Sequence, residues 1–394
     1  RDVIQERAPH VDVVFGTHNV GRTTDLLDQA RVSGPVTEII EESASFPSAL
    51  PVKRDANHAA WVTIQIGCDN SCAFCIVPSV RGKEISRPYS ELVSEVEQLA
   101  LTGVTEITLL GQNVNSYGRD LTLKLRGTEL TAEACQLVGE NWVRGPHTAR
   151  PLFSDLLCSV AAVSGIRRVR YTSPHPKDFR PETIAAMARV PEVCEHLHLP
   201  LQSGSDKILS AMHRGYTADR YIQKVVAARD EIPDLALSTD IIVGFPGETD
   251  LDFERTLEVA AEVRFDNAYT FVYSPRPGTE AAESLEQAVP AKTSADRMER
   301  LRKVIERTSL KGNESRVGRE EEVIVEGHSK RDNGMLSGRT RHNRLVHFPA
   351  DRVIRPGSYA QVRVTEARTF NLIGELVEVT AKAKHRTRIP VVSS

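Results

Sequence analysis

The sequence predicts an α/β protein: a parallel sheet with helices outside it, followed by a small closed β-barrel. Three observations carry that prediction. Strand-like and helix-like stretches alternate six times between His58 and Val272, the pattern of consecutive βα units. Polar turns follow the strands on one side. From Glu321 onward the chain breaks into about five short strand-like runs with turn residues between them, as small barrels do. Periodicity leaves open whether the six units wind doubly or curl into a barrel.

Bulk composition sets the limits. The 394 residues suggest two or three domains. With 40% hydrophobic and 26% charged residues the balance is globular, and aromatics are sparse at 5%. No apolar run approaches the ~20 residues needed to cross a bilayer, so no membrane is expected as a partner. Residues 313–394 hold 15 Lys and Arg against 10 Asp and Glu, a tail of +5 on a body of −8. A basic tail points to an anionic partner; solvated surface charge is the bland alternative.

In chain order, residues 2–10 read as a helix end and 11–16 as a buried strand closed by Gly16, with a short helix over 23–30. Such an apolar strand needs neighbours to cover it, so residues 1–45 read as the last βα units of an α/β domain. The Glu-, Ser- and Pro-containing stretch from Ser33 to Ala56 reads as a linker, centred on 46–56. The central domain, residues 57–292, opens with a strand over 59–66. A helix over 88–101 follows, with Leu92, Val93, Val96 and Leu99 spaced as one buried stripe. Next come strand 106–110, helix 152–163, strand 168–172 and a helix over 181–190 with proline in its first turn. Strand 196–199, helix 216–230, strand 235–243, helix 250–263 and strand 267–272 complete the six units. Residues 122–149, which contain Cys135 and Trp142, are longer and less regular than a βα loop needs. A charged amphipathic helix over 294–317, with the connector set at 293–312, leads to the barrel at 313–381 and a basic extension at 382–394.

The chemistry concentrates in Gly67-Cys68-Asp69-Asn70-Ser71-Cys72-Ala73-Phe74-Cys75, directly after the first strand. Three thiolates within eight residues can each take one iron of a [4Fe–4S] cluster and leave the fourth iron open, whereas ferredoxin-type sites use four cysteines. A zinc site would want a second ligand pair, and Cys135, Cys158 and Cys194 are scattered. Six cysteines in a chain this long do not suit a disulfide framework either. Cys158, on an apolar helix, and Cys194, before a strand, read as buried small hydrophobes.

In a barrel of βα units the chemistry sits at the C-terminal ends of the strands. There the sequence places the polar turns 111–118, 173–177, 200–205 and 239–249. Each could be an ordinary turn, and Thr249 with Asp252 makes a capping pair. Together with the cysteine loop they read as lining one cavity. His196 and His198 share one face of a strand and read as cavity wall rather than metal ligands. Arg81 and Arg87 could meet a carboxylate or phosphate, with surface ion pairs as the alternative.

The cysteine spacing resembles that of the radical S-adenosylmethionine (SAM) enzymes. That resemblance chooses the partial (β/α)6 barrel. It implies that Cys68, Cys72 and Cys75 hold a [4Fe–4S] cluster whose open iron is chelated by SAM, and that electron transfer yields a 5′-deoxyadenosyl radical. Phe74 fits the aromatic commonly found there and would shield the cluster. The stretches Gly111-Gln112-Asn113-Val114-Asn115-Ser116-Tyr117, Thr172-Ser173-Pro174-His175-Pro176, His198-Leu199-Pro200-Leu201-Gln202-Ser203-Gly204-Ser205, Ser238-Thr239-Asp240-Ile241-Ile242-Val243-Gly244-Phe245-Pro246-Gly247-Glu248 and Tyr273-Ser274-Pro275-Arg276-Pro277-Gly278-Thr279 resemble the tRNA methylthiotransferases. This family converts N6-isopentenyladenosine beside the anticodon to its 2-methylthio derivative, and the resemblance runs from about Arg1 to Thr380. It implies that Phe74, Gln112, Asn113, Ser173, His198, Gln202, Ser203, Asp240, Gly244 and Glu248 border the cofactor. One SAM would supply the methyl group and another the radical that takes hydrogen from adenine C2.

In the tail, Gly338-Arg339-Thr340-Arg341-His342-Asn343-Arg344 sets three arginines in one loop, suited to phosphates or stacked bases. The tail resembles the TRAM domain, an RNA-binding barrel of this family. The partners this implies are a tRNA anticodon stem-loop, with the target adenine unstacked from its loop, and an electron donor such as flavodoxin or ferredoxin. A cytoplasmic monomer is expected. The family also carries three N-terminal cysteines that hold an auxiliary [4Fe–4S] cluster implicated in the inserted sulfur. The chain opens past where the third would stand, so it is expected to be a piece of a longer protein, with sulfur insertion doubtful for these residues alone. Two other readings compete. An RNA-binding protein with a redox-sensing or structural cluster leaves the polar rim without purpose. Methylthiotransferases for threonylcarbamoyladenosine or a ribosomal protein differ at Gln112 to Ser116 and at Leu201 to Ser205.

Overall fold

The computed structural model describes residues 2–39, 56–127 and 131–383. The chain opens with α1 (Asp2–Arg7), β1 (Val13–Phe15), α2 (Thr23–Ser33) and β2 (Val36–Glu38), and β2 lies parallel to β1. The linker therefore does not start at Ser33, because residues 36–38 continue the sheet. Its centre, residues 46–55, and the basic extension from 384 lie outside the described residues.

The central domain runs β3 (Ala59–Thr63), β4 (Gln65–Ile66), α3 (Val77–Arg81), β5 (Ile85–Ser86), α4 (Tyr89–Leu101), β6 (Glu106–Leu110), α5 (Arg119–Lys124), α6 (Ala132–Val138), α7 (Glu140–Val143), α8 (Phe153–Ala161), β7 (Arg168–Tyr171), α9 (Pro181–Arg189), β8 (His196–His198), α10 (Asp206–Ala211), α11 (Ala218–Glu231), β9 (Ala236–Val243), α12 (Asp250–Val263), β10 (Asn267–Val272) and α13 (Ala291–Glu314). Two parallel sheets, β3-β6-β7 and β8-β9-β10, are joined by a parallel bridge between Val169 and Val193. Six parallel strands thus follow one another in chain order and leave a gap between β3 and β10. This is the partial (β/α)6 barrel.

Alternation along the strands sets the two faces. Val62, Ile107, Leu109, Val169, Leu197, Leu237 and Ile241 turn outward and meet Leu92, Val96, Leu156, Val160, Tyr221, Val225, Phe253 and Val259 in one core. Arg170, His196, His198, Ser238, Asp240 and Tyr269 take the opposite face, toward the lumen. The first strand does not run unbroken from 59 to 66. Gln65–Ile66 turns away to pair antiparallel with Ile85–Ser86, which clasps the two ends of the cysteine loop together. The stretch 122–149 is more regular than expected: Ala134, Val138 and Trp142 are buried, and the Trp142 indole donates to Thr148 O at 2.9 Å. The capping box at α12 is present, with Asp252 N–H donating to Thr249 Oγ1 and Thr249 N–H to Asp252 Oδ2. Thr249→Ala is expected to lower stability by ~1 kcal/mol, read as a lower urea midpoint.

The tail closes as β11 (Glu320–His328), β12 (Met335–Thr340), β13 (Leu345–Pro349), β14 (Tyr359–Ala367) and β15 (Leu372–Ala381), in spatial order β11-β12-β13-β15-β14. The barrel is not wholly antiparallel, because β13 and β15 pair in parallel through Val346–Leu372 and His347–Ile373. Val323, Val325, Val346, Phe348, Val362 and Leu372 fill it.

Buried arginines bolt this barrel to the N-terminal ends of the central strands. Arg168, 0% exposed, donates to Glu322 O at 2.8 Å and Arg339 O at 2.9 Å. Arg170 donates to Arg341 O and Thr340 O at 2.9 and 2.8 Å. From the other side Arg341 meets the Glu195 carboxylate twice at 2.8 Å, and Arg344 pairs with Asp266.

Candidate active site

Gly67 opens the cysteine loop at φ 72°, and a Cβ there would lie 2.0 Å from Lys83 O, so only glycine fits. The loop is then pinned from several sides. Cys68 N–H donates to Gly82 O at 3.2 Å, Ala73 N–H to Met212 O at 3.2 Å, and Ala281 N–H to Ala73 O at 2.9 Å. Asn70 donates to Cys68 Sγ at 3.6 Å and accepts from Lys177 Nζ at 2.7 Å. Arg214 Nη1 donates to Cys72 Sγ at 3.2 Å, and its Nε to the Tyr216 hydroxyl at 3.2 Å.

Arg214 decides what this loop can hold. It is 5% exposed, and among the described residues it pairs with no carboxylate. A buried guanidinium without an anion is costly, and the thiolates of a cluster-binding loop supply that anion. Cys68, Cys72 and Cys75 are free of disulfides and partly exposed. Burial pushes the Cys68 thiol up from its ordinary value, so its thiolate needs a metal to form readily. The donor set fits an iron–sulfur cluster.

Beside the loop lies a cavity of about 290 Å³ lined by Phe74, Gln202, Asp240, Ile242, Phe271 and Arg276, among others. Phe74 packs edge-on against Phe245 at 6.5 Å. Two non-glycine residues beside the cysteine loop hold left-handed backbones: Gln202 at φ 68°, on the cavity with Phe74, and His213 at 56°, its Nδ1 3.1 Å from Ser71 O. Gln202 is kept there by bridging to β9, its N–H donating to Asp240 O and its carbonyl accepting from Ile242 N–H. Such strain concentrates at functional sites.

Of the residues expected at the cofactor, Phe74, Gln202 and Asp240 meet on this cavity. His198 stands on the lumen wall below it, with Nδ1 3.0 Å from Ser238 Oγ, Nε2 3.4 Å from Asp240, and its ring edge-on to Tyr269. Gln112 is exposed on the rim and Ser173 is half-buried. The others are buried behind the wall, each with at least one polar contact there. Asn113 donates to Asp178 at 2.8 Å, and Ser203, 0% exposed, sits 3.3 Å from the Thr256 hydroxyl. Glu248 accepts from Gly244 N–H at 2.8 Å and from Arg297 at 2.7 Å, so Gly244 and Glu248 brace each other within their turn. Arg87 pairs with Glu95 at 2.6 Å, whereas Arg81 is exposed. Cys194 is buried as expected, but Cys158 is exposed because it lies on the outer face of α8. In the tail loop, Arg341 and Arg344 turn inward onto Glu195 and Asp266 rather than offering a free phosphate site. Arg339 stays at the surface, 3.2 Å from Glu326.

Sequence reasoning missed Arg214 and Glu84. Arg214 follows α10, far from the cysteines in the chain, and only folding brings it to Cys72. Glu84 is 9% exposed, and the Ser116 hydroxyl lies 2.6 Å from its Oε2 and 2.7 Å from Asn113 O. One hydroxyl hydrogen serves one acceptor, so both contacts are satisfied when Glu84 carries a proton. Burial pushes its pKa from 4.5 to about 7. The folded state then binds the proton that the unfolded state releases, so this contribution to stability is full below pH 4.5 and is lost as pH rises through about 7. Glu84→Gln should flatten stability over that window, as measured by urea unfolding at stepped pH.

Comparison with known proteins agrees with this geometry. Residues 62–260 match the model of the Radical SAM superfamily, and residues 314–377 that of the TRAM domain. The chain is 47% identical over 382 residues to tRNA-2-methylthio-N(6)-dimethylallyladenosine synthase 1 of Mycobacterium marinum, covering 95% of this chain and 70% of that protein. It is 47% identical over 380 residues to the synthase of Streptomyces viridosporus, at the same coverages. To that of Thermobifida fusca it is 46% identical over 381 residues, covering 95% of this chain and 72% of the relative. With a cysteine loop poised for a cluster at the strand ends and an RNA-binding type of barrel bolted beneath, the chain belongs to the tRNA-2-methylthio-N(6)-dimethylallyladenosine synthase family of radical SAM proteins.

Proposed function

We infer that this chain is a tRNA methylthiotransferase that turns N6-dimethylallyladenosine beside the anticodon into its 2-methylthio derivative, using a [4Fe–4S] cluster and SAM. The observation that carries the reading is the cysteine loop with buried Arg214 at its back and a cavity at its front. A cluster on Cys68, Cys72 and Cys75 would supply an open iron for SAM and the electron that cleaves it. The chain's own residues then position and protect. Arg214 offsets negative charge behind Cys72, Phe74 and Phe245 keep water from the loop, and Gln202 and Asp240 offer polar atoms across the cavity. Excluding water preserves a reactive intermediate.

The radical SAM core is assigned to residues 57–292 and the RNA-binding barrel to 313–381, with the helix at 293–312 between them. A cytoplasmic monomer served by flavodoxin or ferredoxin completes the reading. No described helix is long and apolar enough to cross a membrane. The test is anaerobic reconstitution with iron and sulfide, then SAM, dithionite and an anticodon stem-loop carrying N6-dimethylallyladenosine. The expected product is 5′-deoxyadenosine, read by mass spectrometry, since the sulfur insertion that the family resemblance ties to an auxiliary cluster is not expected from these residues alone. Intact SAM with a loaded cluster would overturn the reading and favour a non-catalytic RNA-binding protein.

A further inference from the structure

Among the described residues, every exposed aromatic side chain lies at the open side of the partial barrel: Trp61 (65% exposed), Tyr269 (53%), Phe271 (52%) and Phe370 (65%). The other described aromatics are buried or half-buried. Trp61 sits on β3, one free edge. Its neighbours Ala60 and Val62 are buried toward the helices, so alternation turns the indole to the lumen. Tyr269 and Phe271, two apart on β10, share a face on the other free edge, and the contact of Tyr269 with His198 shows that this face is the lumen. Phe370, in the turn before β15, lines a cavity of about 250 Å³ together with Tyr269, His196, Asn343 and Arg344. Phe271 lines the next cavity upward with Phe74 of the cysteine loop. The rings therefore mark a continuous track from the C-terminal barrel to the cysteines.

Exposed apolar surface gathered in one place marks an interaction site. The rings select the occupant. Flat aromatic faces with polar neighbours such as His198, Asp240 and Asn343 suit nucleobases, which have π-faces and hydrogen-bonding edges. Arg276 lines the upper cavity, placing a cation for phosphate near the cysteines, while Arg339, which lines the lower one, is 3.2 Å from Glu326. An aliphatic helix would leave those edges unpaired.

We propose that unpaired RNA bases stack on Phe370, Tyr269 and Phe271, with Trp61 closing on them from the opposite edge, so that single-stranded RNA threads from the C-terminal barrel to the cavity beside the cysteines. This deepens the functional reading above and rests on it.

The chain has two tryptophans, and Trp142 is 1% exposed, so acrylamide-quenchable emission reports Trp61. In the full chain, an anticodon stem-loop should protect that emission, whereas a paired duplex should not. Trp61→Ala and Tyr269→Ala should each weaken stem-loop binding roughly 5- to 150-fold, as expected for one lost base stack. Trp61→Phe should recover most of it, and Leu251→Ala, an exposed substitution on α12, should leave it unchanged. Thermal melting of each variant separates lost binding from lost folding. If the wild type binds the stem-loop while Trp61 stays quenchable and the variants bind equally, the stacking track is overturned and the function stands. If the wild type does not bind the stem-loop at all, the functional reading fails and the track with it. Protection of Trp61 that rises with protein concentration in the absence of RNA would assign the slot to a second copy and also overturn the proposal.

Discussion

Cys72→Ala is expected to abolish iron loading and SAM cleavage together, with 5′-deoxyadenosine falling to background. Two losses coincide at this position. The loop supplies three thiolates, and two cannot hold a cubane cluster against loss of iron. Cys72 Sγ is also the acceptor for Arg214 Nη1, so its removal leaves a buried guanidinium with the Tyr216 hydroxyl alone. Iron and acid-labile sulfide per chain, measured beside the SAM products, decide the matter. A variant that keeps both iron and cleavage would show that the cluster is held elsewhere. Arg214→Met isolates the second loss: the loop keeps its ligands, so iron should still bind, but less tightly.

Arg297→Met is expected to cost ~3–5 kcal/mol, the loss that follows when one member of a buried ion pair is removed. The Arg297 and Glu248 side chains are 5% and 1% exposed, and they meet at 2.7 Å. Burial pushes Glu248 up from its usual range even with Arg297 beside it. Without the arginine, Glu248 escapes its penalty by taking up a proton, so the loss should shrink as pH falls. Urea unfolding at pH 5 and pH 8 tests this, and equal losses at the two would count against it. The effect should reach the cavity, because Glu248 accepts from Gly244 N–H in the turn that follows β9. Arg297 lies on α13, so the helix that leads to the RNA-binding barrel also holds the cavity's turn in place.

Much of the fold was legible in the sequence because strand and helix periods differ and each apolar stripe had one place to go. The strands at 106–110 and 267–272 and the helix at 250–263 appear with the expected limits. The break after Thr63 was not legible, since Ile64, Gln65 and Ile66 continue a strand-like pattern. Only the far side of the cysteine loop, Ile85–Ser86, shows why the chain turns. The site divides in the same way. Cysteines at fixed spacing declare themselves, whereas Arg214 reaches Cys72 across 142 positions. Polar residues after a strand were all expected to face the cavity, yet Asn113, Ser203 and Glu248 secure the turns from behind. A list of polar types cannot say which way each one points. The arginines at 339, 341 and 344 carried the same ambiguity, and acidic partners on the central domain drew two of them inward.

Those inward arginines fix more than an interface. Arg168, Arg170, Arg341 and Arg344 anchor the C-terminal barrel at one end of the strands, while the cysteines stand at the other. β9, the longest of the six at eight residues, spans about 26 Å at ~3.3 Å per residue. The two ends act as the jaws of a caliper with a locked screw. An RNA held at the lower jaw, as proposed above, would meet the upper one at a separation that the fold does not let vary.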